Sequence, residues 1–177
     1  IIRNEEGGEI SRFYGYVADG IFQNQTEVNA HTDEYGTVIQ PNAQPGDIRF
    51  KDLNHDGKLD DNDKTFIGNA FPDLMVGINA RLAWKNIDFA ANFYGTIGND
   101  VYNTTKGRYS GVSGENVYAG TYNASWHGEG TSYDLPRLSY NDANQNWTRV
   151  SSFYVEDGSY LRCKQLQIGY CLLYTSP

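Results

Sequence analysis

The stretch DLMVGINARLAWKNIDFAANFYG, residues 73–95, alternates apolar and polar side chains along most of its length. In residues 74–84 every second position is apolar, and small or polar residues lie between these positions. The polar pair at 85–86 interrupts the pattern, which then resumes over residues 87–93. Because successive side chains of a strand point to opposite faces, this pattern predicts a β-hairpin with one apolar and one polar face.

Each arm of the predicted hairpin runs for about ten residues, long for a soluble strand and matched to the roughly 9–11 that cross a membrane when tilted. Trp84 lies at the turn, and Phe93 and Tyr94 lie at the other end, as aromatic residues do at membrane interfaces. The apolar face is a candidate for contact with lipid, through Leu74, Val76, Ile78, Leu82, Trp84, Ile87, Phe89 and Phe93. The alternative is a soluble sandwich hairpin whose apolar face packs on a core, since single barrel strands give weak signals.

The rest of the chain offers two further strand candidates and two long polar connections. Residues 10–22 and 159–170 are the strand candidates, the latter with a bulge expected near Lys164 and Gln165. The connections span residues 23–72 and 96–158. Compact soluble domains seldom carry loops of this length, whereas outer-membrane barrels combine short periplasmic turns with long extracellular loops. The sequence therefore predicts an all-β fold, part of a large transmembrane antiparallel β-barrel.

Composition narrows the possible partners. The 177 residues carry a formal net charge of −8, and an acidic chain argues against nucleic acid as a partner. The 14 Tyr, 8 Phe and 19 Gly favour β-structure with many turns. No apolar run approaches the roughly 20 residues of a transmembrane helix. Cys163 and Cys171 lie on one predicted strand, roughly 26 Å apart, which is too far for a disulfide.

A second motif, DLNHDGKLDDND at residues 52–63, places oxygen-bearing side chains in the order of a calcium-binding loop. The predicted ligands are the side chains of Asp52, Asn54, Asp56, Asp60 and Asp63 and the backbone carbonyl of Lys58. Pro and Gly residues in the flanking sequence leave no room for the two EF-hand helices, so the loop is expected without them. The alternative is a cluster of Asx turns held by its own backbone hydrogen bonds. In the calcium interpretation the ion is structural.

No catalytic motif is found in the sequence. The three histidines, His31, His55 and His127, are scattered, and no arrangement of nucleophile and base accompanies them. We therefore expect no enzymatic activity. Aromatic residues in the second long connection are candidates for substrate or partner contact: Tyr118, Tyr122, Trp126, Tyr133 and Trp147. The alternative is that these side chains pack the loops against one another.

Several blocks of the sequence resemble one family. FYGYVADGIFQN, the segment from QPGDIRF through NDVYN, WHGEGTSYDLPRLSYND and RVSSFYVEDGSYLRCKQLQIGY occur in the order of the C-terminal barrel of SusC/RagA-type TonB-linked outer-membrane proteins. The resemblance implies a plugged barrel in the outer membrane, energy from a TonB complex, and a SusD-like surface lipoprotein as partner. It further implies a cargo of oligosaccharide or peptide. The rival hypothesis is a secreted, calcium-dependent, β-rich binding or adhesion module.

The resemblance also sets expectations for domain organisation. Residues 1–170 are expected to be a fragment of a TonB-dependent receptor barrel, with the plug and the TonB-contacting N-terminal segment missing. Cys163 stands where the family usually has Leu. Residues 171–177, CLLYTSP, depart from the family pattern and resemble a non-native, adapter-derived tail.

Overall fold

The structure, a computed structural model, describes residues 1–108 and 116–172. The strands within these residues are β1 (Ile2–Arg3), β2 (Arg12–Gly15), β3 (Ala18–Ile21), β4 (Ile48–Phe50), β5 (Thr65–Asn69), β6 (Leu74–Trp84), β7 (Ile87–Ile97), β8 (Asp100–Tyr102), β9 (Val155–Asp157) and β10 (Tyr160–Tyr170). The described helices are α1 (Gln25–Ala30), α2 (Thr105–Arg108) and α3 (Ala119–Ala124), with 3₁₀ turns at Asp61–Asp63 and Ser152–Tyr154. None of these helices is long and apolar enough to cross a membrane.

The chain divides into two compact units. The first unit comprises Ile1–Gly68 and Tyr102–Val155, and the second comprises Asn69–Val101 and Glu156–Pro177. The described strands form four separate sheets, in the orders β1-β2-β5, β10-β7-β6, β3-β4 and β8-β9. The chain is therefore mostly β, as predicted, while the closed barrel stays a prediction. Of the predicted tail at 171–177, residues 173–177 lie outside the described residues.

The second unit is built on an antiparallel three-stranded sheet with β7 in the middle. The hairpin prediction is confirmed, because β6 and β7 pair in continuous register from Leu74↔Ile97 to Trp84↔Ile87. Lys85 and Asn86 form the two-residue turn, and Lys85 has a φ of 52°. Positive φ values are typical of the tight turns that join twisted antiparallel strands. Each of the three strands is 11 residues long, close to the roughly ten predicted for each hairpin arm and to the predicted strand at 159–170.

The bulge predicted in the last strand is also confirmed. The register of β10 against β7 shifts between Cys163 and Gln165, so Lys164 is the extra residue. Since side chains alternate with a period of two, one extra residue in a regular strand would move all later side chains to the other face, and the bulge absorbs this residue. Before the bulge Leu161 and Cys163 share the apolar face, and after it Leu166, Ile168 and Tyr170 do so. The bulge therefore keeps one apolar face continuous across all three strands.

The first unit contains two small hydrophobic cores. In one core Tyr16, Ile48 and Phe50 pack together, with Ala18, Leu59 and Phe153 around them. The other core joins Phe22, Val28 and Ala43, so the apolar side of α1 is buried against the segment that precedes β4. Phe22 and Phe50 are fully buried. These cores are assembled from short elements far apart in sequence.

The prediction of one strand over residues 10–22 is wrong. The structure divides this stretch into β2 and β3, which lie in different sheets. The division falls where Tyr16 forms a parallel bridge to Ser151 and its N–H donates to the Val150 carbonyl at 3.0 Å. Gly15 allows this approach, since a Cβ there would lie 2.6 Å from the Val150 oxygen. Tyr16 bonds to the backbone of residues 150–151 instead of continuing the pairing of β2, so β2 ends before it and β3 begins after it.

The two polar connections contain more regular structure than the sequence predicts. The first carries α1, β4 and β5, and the second carries β8, α2, α3 and β9. α1 begins at Asn24, whose side chain accepts the N–H of Glu27 at 3.0 Å, while Glu27 accepts the N–H of Gln23 at 2.8 Å. The Asn24 cap and the bond from Glu27 to the residue before it fix the start of a helix too short to be stable alone.

Candidate functional site

The apolar face of the β10-β7-β6 sheet is the most extended candidate surface. Of the eight side chains predicted to contact lipid, five are exposed and three are half-buried; the exposed ones are Leu74, Ile78, Leu82, Trp84 and Ile87. Leu82 and Trp84 keep 68% and 69% of their surface exposed. Val76, Phe89 and Phe93 are the half-buried members. The register places all eight on one face, as the alternation predicts.

Strand β10 extends this face with residues that the sequence analysis did not assign to it. Leu161, Leu166 and Ile168 are 70%, 64% and 72% exposed, and each lies beside an apolar-face position of β7. Their alternation changes phase at Lys164, which obscures the pattern in the sequence. The signal that finds them is the predicted bulge, once its effect on the phase of the later residues is applied.

No described residue covers this face. The buried hydrophobic clusters of the described chain are formed by first-unit residues, and in the sheet only Ala91 is a buried apolar side chain. A contiguous apolar surface of this extent is unusual on a soluble protein and marks contact with another apolar phase or partner. The sandwich alternative requires a core beneath this face, and the described chain does not provide one.

The opposite face of the same sheet is polar. The amide of Asn92 donates to Gln165 Oε1 at 3.0 Å, and Gln165 Nε2 donates to Gln167 Oε1 at 3.1 Å. Tyr94 and Tyr160 lie beside each other on this face, with ring centroids 6.2 Å apart. The sheet therefore separates an apolar side from a side with many hydrogen-bonding groups.

The acidic loop lies between β4 and β5, so strands flank it where an EF-hand has helices. Asp52 is largely buried, and its two carboxylate oxygens accept the N–H groups of His55 at 2.7 Å and Gly57 at 2.9 Å. Asn54 accepts the N–H of Asp56 at 3.1 Å. Such side chain to backbone bonds are Asx turns, and calcium loops also use them to shape the chain.

Asp63 ends the loop and is fully buried. One of its oxygens accepts the N–H of Leu53 at 2.9 Å, and the other accepts the N–H of Asp60 at 2.8 Å. The Asp60 side chain in turn caps the 3₁₀ turn by accepting the N–H of Asn62 at 2.8 Å. The Asp63 carboxylate, at position 12 of the loop, thus connects the start of the loop to its end through hydrogen bonds to the backbone.

Carboxylates of the predicted calcium ligands accept hydrogen bonds from the loop's own backbone in this arrangement. Within the described residues, no group of three or more Asp, Glu, His or Cys side chains is placed to hold a metal ion. Asp56 and Lys58 are linked by a hydrogen bond from the Lys58 N–H to the Asp56 carboxylate at 3.0 Å, and the Lys58 carbonyl is the predicted backbone ligand. Calcium binding by the loop stays a prediction from sequence.

His31 lies close to this loop, at the C-terminal end of α1. Its Nε2 is 3.1 Å from the carbonyl oxygen of Phe50, and its ring packs edge-on against Phe22. Burial lowers the pKa of His31, which outweighs the raising effect of the hydrogen bond to Phe50. The folded first unit therefore favours the neutral form of the His31 imidazole.

The five aromatic candidates of the second connection occupy different environments. Tyr118, Tyr122 and Tyr133 are exposed, at 68%, 57% and 66%. Trp126 is half-buried against Gly46, and its Nε1 donates to Gln23 Oε1 at 3.2 Å. Trp147 is 5% exposed, and its Nε1 donates to the Arg137 carbonyl at 3.3 Å. The structure therefore places the two tryptophans in the packing of the first unit, and the three tyrosines on its surface.

A buried polar network that the sequence analysis missed holds the two connections together. Asp47 is fully buried, and its carboxylate accepts Arg137 Nε at 2.6 Å and Asn146 Nδ2 at 2.8 Å. Asn146 Oδ1 accepts the N–H of Ile48 at 2.9 Å. Gln40 Oε1 accepts the N–H of Phe50 at 2.8 Å, which satisfies a second backbone group of β4. The sequence signal for this network is the run NDANQN at residues 141–146, and such clusters of Asn and Asp are equally typical of turns.

Comparison with known proteins places this chain close to one class, the TonB-dependent receptors. The chain is 33% identical over 167 residues to TonB-dependent receptor P3 of Formosa agariphila, and 30% identical over 164 residues to TonB-dependent receptor P26 of that organism. The matches cover 94% and 93% of this chain and 16% of each relative. Within the class, the chain is 24% identical over 173 residues to TonB-dependent receptor SusC of Bacteroides thetaiotaomicron, covering 93% of this chain and 16% of SusC. The resemblance to SusC/RagA-type receptors is thus confirmed.

A solved structure supports the fold. The RagAB peptide importer in its closed-closed state matches with a TM-score of 0.56 and 18% identity, over 92% of this chain and 17% of that one. A scan against models of protein families found no match. The chain spans about one sixth of the length of the relatives it matches. The names of these relatives describe receptors and an importer, not enzymes.

Proposed function

We propose that this chain forms part of the membrane-spanning wall of a TonB-dependent outer-membrane importer. The observation that carries the proposal is the apolar face that runs without interruption across β6, β7 and β10. Exposed apolar residues on one face and amides on the other match a barrel wall with lipid outside and water inside. In this role Leu74, Val76, Ile78, Leu82, Trp84, Ile87, Phe89 and Phe93 contact lipid.

The strand lengths fit this role. Eleven residues extend over about 36 Å, and a tilt near 45° reduces the height to about 25 Å, the apolar band of an outer-membrane barrel. β6 begins, β7 ends and β10 begins at the end of the sheet opposite the Lys85–Asn86 turn. The tight turn is then periplasmic, and the two long connections are extracellular.

The outer edges of β6 and β10 support a closed wall. Among the described strands, neither edge has a hydrogen-bonded neighbour, since the sheet order is β10-β7-β6. An unpaired edge in lipid leaves backbone N–H and C=O groups without partners at a cost of several kcal/mol each. In our proposal neighbouring strands of the complete receptor pair with both edges.

The remaining parts of the proposal concern partners and cargo. The complete receptor takes up an oligosaccharide or a peptide, draws energy from a TonB complex, and works with a SusD-like surface lipoprotein. The similarity to SusC and to the RagAB peptide importer supports this role. No catalytic step is part of it. Tyr118, Tyr122 and Tyr133 are exposed side chains of the second connection, and in our proposal they contact cargo or the lipoprotein.

Cysteine labelling in intact cells tests the topology. In the full receptor with Cys163 and Cys171 replaced by Ala, single cysteines are introduced as Tyr133→Cys, Lys85→Cys and Ile78→Cys. We expect a membrane-impermeant maleimide to label position 133 in intact cells and position 85 only after the outer membrane is opened. Position 78 should react slowly under both conditions because lipid surrounds it. Labelling of positions 85 and 133 at equal rates in intact cells, or release of the protein into the medium, would contradict the proposal and favour the secreted module.

A further inference from the structure

The polar face of the sheet carries a compact group of cations and aromatic rings. The guanidinium of Arg162 lies 5.3 Å from the ring centroid of Tyr160, and the ammonium of Lys164 lies 5.2 Å from that of Tyr94. The two tyrosine rings are themselves neighbours. We refer to Tyr94, Tyr160, Arg162 and Lys164 as the cationic patch. The β10 bulge creates this patch, because it inserts Lys164 beside Arg162 without disturbing the apolar face.

The cations of this patch have no acidic partner in the part of the chain that the structure describes. Arg162 and Lys164 are exposed, and their interactions with described residues are the contacts with tyrosine rings. Asp88 is the acidic residue on this face of the described sheet, and it lies near the turn, opposite Gly169 in the strand register. It is six residues, or about 20 Å, along β7 from Tyr94. The patch is therefore a positive surface on a chain whose net charge is −8.

We propose that the cationic patch binds the carboxylate groups of an acidic oligosaccharide as this cargo passes through the receptor. The inference rests on the proposed function, which makes the polar face part of the lumen. The guanidinium and the ammonium, each next to one of two neighbouring rings, suit a carboxylate-bearing ligand, since Arg binds a carboxylate through two parallel hydrogen bonds and Lys attracts it as a point charge. Positive charge along a water-filled passage also raises the local concentration of anionic cargo.

The neighbouring side chains favour a saccharide over an acidic peptide. Asn92, Gln165 and Gln167 form a row of amides next to the patch. Amides both donate and accept hydrogen bonds, as sugar hydroxyl groups require. A peptide gains specificity from pockets for its apolar side chains. The polar face presents small residues at two further positions of β7 and β10, Ala90 and Gly169.

Calorimetric titration of the purified full receptor in detergent tests this assignment. The probes are tetragalacturonate and its methyl ester, which share one backbone and differ in charge, and a tetraglutamate peptide. We expect the receptor to bind tetragalacturonate at least tenfold more tightly than the ester, with this preference weakened at 0.5 M salt. Arg162→Gln with Lys164→Gln should abolish the preference, whereas Lys85→Gln, which removes a cation at the turn beside Trp84, should leave it unchanged.

Each alternative result overturns the inference. Equal affinity for the acid and its ester, tighter binding of the peptide, or an unchanged preference in the double variant would exclude the patch as a site for acidic saccharide. If the receptor binds none of the three probes, the patch is likewise excluded as a site for acidic saccharide. The topology experiment is independent of all these probes. If cysteine labelling supports a membrane wall while titration shows no charge preference, the importer proposal survives and the cargo assignment fails.

Discussion

Replacing Ile78 with lysine places a charge on the apolar face at a position where our proposal puts lipid. Ile78 is the fifth of the eleven residues of β6, pairs with Phe93, and is 52% exposed in the described chain. No described residue lies above it to accept the charge. In our proposal this position lies near the membrane midplane, where the long lysine side chain is furthest from either interface.

The magnitude follows from the cost of a cation at this depth. A lysine on the lipid face near the midplane of a barrel costs about 2–4 kcal/mol. Since 1.4 kcal/mol is a factor of ten, the folding equilibrium should fall by about 30- to 1,000-fold. We would measure refolding of the full receptor from urea into liposomes, and score the folded fraction by its heat-sensitive migration on SDS gels. The Ile78→Lys receptor should require much less urea to unfold.

Asn79→Lys is the matched control. Asn79 precedes Arg81 on the polar face and pairs with Asn92, so the same new charge would enter the water-filled side. We expect its effect on the free energy of unfolding to be below about 1 kcal/mol. The reasoning fails if Asn79→Lys destabilises the receptor as much as Ile78→Lys. It also fails if both variants refold like the parent protein.

Deleting Lys164 should remove the bulge and join Cys163 directly to Gln165 in regular alternation, which leaves all later β10 side chains on their present faces. The assembled fraction in the outer membrane should therefore stay close to that of the parent receptor, and a sharp drop would contradict the register. Asp63→Asn replaces one oxygen that accepts a backbone N–H with a donor, at a cost of about 3 kcal/mol. The Leu53 and Asp60 amides should then exchange hydrogen roughly 100-fold faster in EDTA. Unchanged exchange would show that the Asp63 carboxylate does not hold the loop closed. Added calcium should slow exchange in this loop if the sequence prediction of calcium binding is correct. Because burial lowers the pKa of His31, the unfolded chain binds its proton more readily, and the first unit should lose stability as pH falls below about 6.5. After correction for the intrinsic pH dependence of amide exchange, hydrogen exchange of the backbone amides around His31 should become faster as pH is lowered from 7 to 5. This increase should occur in the parent protein but not in His31→Gln.

The hairpin could be predicted from the sequence because its information is local. Alternation over residues 74–84 and 87–93 depends only on the strand period, and the polar pair between them marks the turn. The bulge could also be predicted in position, since the alternation of β10 fails at Lys164. Its consequence required the structure, because assigning β10 residues to a face depends on their register with β7.

The first unit could not be predicted in the same way because its contacts are distant in sequence. Asp47 and Arg137 are 90 residues apart, and Gln40 and Asn144 are 104 apart. Each element is too short to show a period; α1 has six residues and β4 has three. Such segments fold through shared buried polar groups and small cores, which leave no repeating pattern in the sequence. The polar composition of the connections therefore suggested loops where the chain builds a compact unit.

The acidic loop shows a different limit. Its sequence supplies the oxygens for calcium in the right order, and the same oxygens are suited to accept backbone N–H groups. In the structure Asp52 and Asp63 use their carboxylates in the second way. Sequence alone does not separate the two uses, because both require Asp or Asn at these positions and glycine at the sharp turn. The balance depends on whether the loop reorganises its hydrogen bonds when calcium is present.

The bulge connects the two proposals made for the sheet. Without the bulge, Lys164 would take a regular strand position, and Leu166, Ile168 and Tyr170 would lie among the amides. With it, β10 presents apolar residues to one side along its whole length and two adjacent cations to the other. A sheet buried in a soluble core needs only the continuous apolar side. Two neighbouring cations on its solvent side would give it no advantage. A membrane wall that faces lipid on one side and a charged cargo on the other uses both properties, and the bulge adds the second cation without loss of the apolar face.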